Sequence, residues 1–237
     1  MAKRISMNKM TVEQRKLFTE HNMKEINDYI DMRKLDFKTA LYMGIDQSTT
    51  SSGIIILDWK GKIVLERLIK YNSNTINNTD MRLVWLHQEF LNVMLDERFL
   101  NICLVGYELP SATRPAQAHL MGETAFTIKL ACWKTDLPYI TIAPQRIKKY
   151  VAATKSEGVK SLVMKNVYKQ YDYDVNDDNL ADAFVIAQIT KELVRFAING
   201  KCFASLKDYQ KSVIKDTIPN NGLCIDMIDK KKVRILP

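Results

Sequence analysis

Cysteine is scarce and scattered. Cys103, Cys132, Cys202 and Cys224 form no C-x-x-C pair, which argues against both a zinc site and a disulfide framework and fits a reducing compartment. The three histidines, His21, His87 and His119, lie too far apart in sequence to suggest a zinc pair and read as surface or packing residues. No apolar run approaches the roughly 18 residues of a membrane span, and Met1-Ala-Lys-Arg leads into polar sequence, not into a signal-peptide core. A protein that stays in the cytoplasm, with no membrane partner, is the expectation. With 8 glycines in 237 residues, the chain has neither a glycine-rich adenosine motif nor a Walker-type lysine loop.

What is present is the balance of a folded enzyme-sized protein, with 46% hydrophobic and 26% charged residues. That length buries a core as one globular domain with extensions. The net charge of +8 is unevenly placed. Residues 1–40 carry 9 Lys/Arg against 6 Asp/Glu, and residues 201–237 carry 8 against 4, while 41–200 is nearly balanced at 18 against 17. The basic excess in the extensions suits a polyanion such as nucleic acid. Lys230-Lys-Lys-Val-Arg234 is either a phosphate grip or a solvated tail.

Helical spacing of Val12, Leu17, Ile26, Ile30 and Met32 predicts one or two amphipathic helices over 11–35. From Leu41 the pattern changes to three short apolar runs, 41–46, 52–58 and 63–69, the last two joined by the glycine-containing turn Trp59-Lys-Gly-Lys62. A helix over 80–95, a buried strand over 101–108, a small-residue helix over 114–134 suited to close packing on a sheet, and a strand over 137–142 follow. Pro144 opens another helix, and 155–170 and 179–198 add two more. The order βββαβαβαα describes an α/β fold, a mixed five-stranded sheet with helices on both faces. The chain divides into a helical basic N-terminal extension (1–40), a central domain (41–200) and a basic C-terminal extension (201–237).

Two strands end in acids, Asp46 and Glu108. In open α/β sheets, sites are built at the carboxyl ends of strands. A third acid, Asp182, begins an apolar helix just after Asp177-Asp178. Carboxylates that converge from distant segments repel each other and need a cation. Hard oxygen donors with room for water favour Mg²⁺ or Mn²⁺. Two such ions roughly 3.5–4 Å apart stabilise both the attacking water and the leaving oxygen of a phosphodiester.

Gly44-Ile-Asp46-Gln-Ser, Val105-Gly-Tyr-Glu108 and Asn179-Leu-Ala-Asp182-Ala-Phe-Val-Ile-Ala187 resemble the three acidic motifs of the RuvC Holliday-junction resolvases, which have the RNase H-like fold. Leu137 to Val151 is similar to that family's fifth strand and its lysine-bearing helix, with Lys148 at the lysine position, and Lys160 matches a second lysine. The resemblance covers 41 to 190. It implies a Mg²⁺-dependent endonuclease, with two ions per site and Mn²⁺ as a substitute, that cuts four-way or other branched DNA as a homodimer. Asp46, Glu108 and Asp182 would hold metal, and Lys148 and Lys160 would position or neutralise the phosphate. The family's acid or histidine three residues before the last aspartate is Asn179 here, with Asp178 one residue earlier. On a helix, Asp178 lies about 40° and Asn179 about 60° to either side of Asp182. Asp178 supplies the charge that the neutral amide lacks, so it is the expected fourth ligand, with Asn179 secondary. The family's aromatic wedge has no counterpart, because Glu108 is followed by Leu-Pro-Ser-Ala-Thr-Arg114; Arg114 is a DNA-phosphate candidate instead. The size and the Asn/Lys-rich composition resemble a phage version, in which case the host cytoplasm is the location.

A rival reading starts from the same first motif. Gly44-Ile-Asp-Gln-Ser-Thr-Thr-Ser-Ser-Gly53 is also similar to the first phosphate motif of the actin-like and sugar-kinase ATPases. Those proteins need two such domains and a second phosphate loop, and the ATPase reading leaves Glu108 and Asp182 without a role. A junction-binding protein that does not cleave is the third possibility. Acids beside DNA phosphates would only weaken such a binder.

Overall fold

The computed structural model describes residues 38–48, 50–71, 78–110, 115–152, 159–199 and 204–221, together with Lys24. The helices expected over 11–35, Arg114 and the basic run 230–234 lie outside the described residues. The elements are β1 (Leu41–Asp46), β2 (Ser51–Leu57), β3 (Ile63–Lys70), α1 (Thr79–Met94), β4 (Ile102–Glu108), α2 (Pro115–Lys134), β5 (Tyr139–Ile142), α3 (Pro144–Tyr150), α4 (Val159–Tyr171), α5 (Asp178–Asn199) and α6 (Asp208–Asn221).

The five strands form one sheet in the order β3-β2-β1-β4-β5. β1, β2 and β3 make an antiparallel meander, while β4 runs parallel to β1 and β5 parallel to β4. The β2–β3 turn is set by Asp58, whose Oδ1 accepts from the backbone N–H of Lys60 at 2.9 Å and of Lys62 at 2.8 Å. Gly61 sits there at φ 90°, a conformation that disfavours any side chain. The edge strand β3 alternates exposure and carries Glu66, Arg67 and Lys70, charges that discourage pairing with another strand.

Strand periodicity of two divides the core. Leu41, Met43, Ile45, Ile54, Ile56, Val105 and Tyr107 face α1 and α2, whereas Tyr42, Ile55, Leu57, Leu104 and Ile142 face α3 to α6. Covered on both sides, β1, β2 and β4 read as continuous apolar runs. The centre of the second layer is α5, which packs across β1, β2 and β4. It comes unusually close. A Cβ at Gly44 would stand 2.2 Å from the Ala183 carbonyl oxygen, one at Gly53 would stand 2.3 Å from that of Asn179, and one at Gly106 would stand 2.1 Å from Thr190 Oγ1. Close approach to the sheet is therefore the work of α5 over three strand glycines. α2 does pack on the sheet through Ala125, Ile128, Ala131 and Cys132, but its Ala118 and Gly122 are exposed.

α6 lies within the stretch read from sequence as a basic extension. Val213 and Ile214 are fully buried in the α5-side core, and Lys149 of α3 donates to Ser212 Oγ at 2.7 Å. Among the described residues no helix is long and apolar enough to cross a membrane.

Candidate active site

The site follows from the register. β1 and β4 are parallel neighbours whose last paired residues are Ile45 and Tyr107, so the next residues, Asp46 and Glu108, end adjacent strands at the same sheet edge. Asp46 shares the face of Tyr42 and Gly44, the side that α5 covers. Gly53 pairs with Asp46 across β2 and lies against the backbone of Asn179 in the first turn of α5. That contact brings Asp178 and Asp182, one helical turn apart, over the strand ends.

Asp46 is buried, with 6% of its surface exposed. Its carboxyl is held well above the ordinary carboxylate range, first by burial, then by the Glu108 charge and a hydrogen bond with the Glu108 side chain, and then by the charges of Asp182 and Asp178. Three of the other acids picked out from sequence thus act on Asp46. Among the described residues, no three Asp, Glu, His or Cys side chains are gathered tightly enough to form a ready-made metal cage.

Asp177 has a different task. Its Oδ1 accepts from the Asn179 backbone N–H at 3.0 Å, and its carbonyl accepts from the Ala181 N–H at 3.1 Å, which makes it the N-cap of α5. Asn179 is half-buried, and its backbone carbonyl fills the space over Gly53. Lys148 lies exposed in the last turn of α3. That helix starts two residues after Ile142, the partner of Glu108, so it leaves from the same sheet edge. Lys160 belongs to the first turn of α4, and its side chain, like Arg114, lies outside the described residues. His87 bridges α1 to the Thr127 carbonyl at 3.1 Å, and exposed His119 pairs with Glu123 at 3.3 Å. Both are packing or surface roles.

Sequence reasoning did not single out Gln47. It is 2% exposed, and its Nε2 donates to the Glu108 backbone carbonyl at 2.6 Å. The backbone pairing of β1 with β4 ends at Ile45 and Tyr107, so this side-chain bond adds a rung beyond it and ties together the two strand ends that bear Asp46 and Glu108. The only sequence signal was an amide directly after the strand-terminal acid.

The sequence matches no family model and no curated protein. Solved structures do match the fold. The chain is similar to T. thermophilus RuvC in complex with Holliday junction substrate, with a TM-score of 0.53 and 17% identity over 68% of this chain and 96% of that one. It is also similar to a Thermus thermophilus RuvC structure, with a TM-score of 0.53 and 21% identity over the same shares. An RNase H-like order of strands, the central helix across it and these matches together give the chain a RuvC-like α/β fold.

Proposed function

We propose that the protein is a divalent-metal-dependent, structure-selective endonuclease that hydrolyses phosphodiesters in Holliday junctions or other branched DNA. The observation that carries this reading is the convergence of Glu108, Asp182 and Asp178 on the buried Asp46 at the carboxyl end of the sheet. Like charges gathered around one buried carboxyl are destabilising without a cation. A donor set made only of carboxylate oxygens suits Mg²⁺, with Mn²⁺ as a substitute. Two such ions, when bound, supply charge neutralisation at the phosphate and lower the pKa of the attacking water.

Asp46, Glu108 and Asp182 are the ligands in this reading. Asp178 is the fourth, and Asn179 an orienting neighbour. Gln47 fixes the separation of the Asp46 and Glu108 strand ends. Lys148 and Lys160 provide positive charge toward the phosphate, and Arg114 contacts the DNA backbone. A four-way junction presents two symmetric cutting positions, which calls for a homodimer. The solvent stripe of α2 supports one, because Ala118, Gly122, Phe126 and Trp133 succeed each other at helical spacing, with Phe126 60% and Trp133 50% exposed.

The deciding experiment incubates purified protein with four-way, three-way, flap and linear DNA in Mg²⁺ or in EDTA. Mg²⁺-dependent cuts in branched DNA, lost in Asp46→Asn with binding retained, are expected. DNA-independent ATP hydrolysis without nicking would favour the ATPase reading, and junction binding without cleavage in any metal would leave a binding protein. Phe126→Glu is expected to convert dimer to monomer in light scattering.

A further inference from the structure

Strand alternation puts two further polar side chains on the face that carries the acids. On β2, Ile54 and Ile56 face α1, so Ser51 and Gly53 face α5. On β3, Leu68 packs in the α5-side core and Ile69 in the other, so Lys70 also faces α5. Asp46 pairs with Gly53, Gly53 with Leu68, and Ser51 with Lys70. Ser51 and Lys70 are therefore cross-strand neighbours, with Cβ atoms about 5 Å apart, one same-face step beyond the row that holds Asp46.

Neither side chain is used inside the protein. Lys70 is exposed, and among the described residues its ammonium has no ion pair, whereas Arg67 on the opposite face of β3 pairs with Glu89. Ser51 is half-buried, and its hydroxyl, enclosed by the protein, has no hydrogen-bond partner. Protection of the sheet edge accounts for an exposed charge but not for the spare hydroxyl beside it. Enclosed hydroxyls are usually satisfied, so this one points to an outside acceptor, direct or through a bridging water. The ammonium and the hydroxyl both donate to oxygen, and a lysine, as a compact point charge, suits a phosphate.

Position identifies which phosphate. Lys70 stands two strands and two residues from Asp46, about 12 Å between Cα atoms by ordinary sheet spacings, and its flexible four-carbon stem spans part of that gap. β1 and β3 are both antiparallel to β2, so both end at the edge where the acids lie. Lys148 approaches that edge from the opposite side, on α3 after β5. The acids thus lie between two cations along one line of strand ends.

We propose that Lys70, assisted by Ser51, anchors the phosphodiester next to the one that is cut, on the side away from Lys148, so that the cut strand runs along the sheet edge from α3 toward β3. The inference rests on the nuclease reading and adds to it a second phosphate contact and a path for the strand. Each phosphate neutralised by a cationic side chain contributes about 0.9 to the slope of log affinity against log salt.

The test measures fluorescence anisotropy of a labelled four-way junction with the full chain in EDTA, over a series of salt concentrations. Lys70→Gln is expected to reduce the slope by about 0.9, Lys70→Arg to keep it, and Ser51→Ala to weaken binding a fewfold with an unchanged slope. Thermal melting checks that all three variants are folded. The phosphate itself is located with junctions that carry one uncharged methylphosphonate on one side or the other of the mapped cut. On one side only, the substitution should weaken wild type and leave Lys70→Gln unaffected, because the contact it removes is already gone. A wild-type slope in folded Lys70→Gln would overturn the anchor, as would equal weakening of wild type and Lys70→Gln by the methylphosphonates on both sides. Failure of the wild-type chain to cut branched DNA in Mg²⁺ or Mn²⁺ would instead overturn the nuclease reading, a result on which the slopes in EDTA do not depend.

Discussion

One methyl group at Gly53 tests whether α5 delivers the acids. In Gly53→Ala the added carbon would lie 2.3 Å from the Asn179 carbonyl oxygen, 2.6 Å from its carbonyl carbon and 2.9 Å from the Leu180 nitrogen. Carbon–oxygen contacts settle at about 3.3 Å or more, and these three atoms are all backbone, so no rotamer change relieves the overlap. The first turn of α5 must withdraw by roughly 1 Å. Overpacking of this kind costs about 1–3 kcal/mol, which a domain of ordinary stability survives. Asp178 and Asp182 ride on the displaced turn, and a misplacement of about 1 Å costs on the order of 100-fold in rate. Urea unfolding and junction cleavage at saturating DNA and Mg²⁺ measure the two effects separately. The expected result is a folded variant, destabilised by about 1–3 kcal/mol, with cleavage down about 100-fold. A folded Gly53→Ala that cleaves at the wild-type rate would refute the idea that α5 places the acids.

Burial and the three neighbouring acids raise the Asp46 proton affinity in the folded state, so in EDTA its contribution to stability is full below its unfolded pKa and fades as pH rises through the folded value. Denaturation in EDTA across pH should show Asp46→Asn gaining on wild type as pH rises; a constant difference would contradict the burial argument. Gln47→Met, which removes the bond to the Glu108 carbonyl at similar volume, should cost about 1–3 kcal/mol and raise the Mn²⁺ concentration for half-saturation in calorimetry, and unchanged metal binding would reduce Gln47 to a packing residue. A chain ending at 205 loses the burial of Val213 and Ile214, about 1.5–3 kcal/mol each, and should melt below a chain ending at 221; equal melting temperatures would show that α6 is dispensable. Asp178→Asn should shift the Mg²⁺ midpoint of cleavage more than Asn179→Ala does, and the reverse order would reassign the fourth ligand.

Strand and helix positions were legible because each element carries its own period. β1 spans 41–46 as expected, and α5 starts at Asp178, one residue earlier than the periodicity indicated. α6 was not legible, for a physical reason. Its buried positions, 210, 213, 214 and 217, keep helical spacing, but two of them are Gln210 and Thr217. Those polar groups are satisfied inside the protein, Gln210 Nε2 donating to the Tyr171 hydroxyl of α4 at 3.0 Å and Thr217 Oγ1 to the Val213 carbonyl at 2.7 Å. A hydrophobic pattern cannot register a buried face whose polar half is paid for by hydrogen bonds.

The candidate site divides along a similar line. Strand-terminal acids announce themselves, since an apolar run that ends in a carboxylate is visible in one dimension. The parts that set their geometry do not. Gln47 sits in a stretch that reads as a polar turn, and its burial depends on β4 arriving alongside, 61 residues later. Gly44, Gly53 and Gly106 look like ordinary strand glycines until α5 crosses all three. Each is small because a backbone or hydroxyl atom from a sequence-distant helix occupies the place of its side chain. The chemical groups are therefore encoded locally and their placement non-locally, and substitutions at Gly53 and Gln47 are expected to act on the acids without removing any of them.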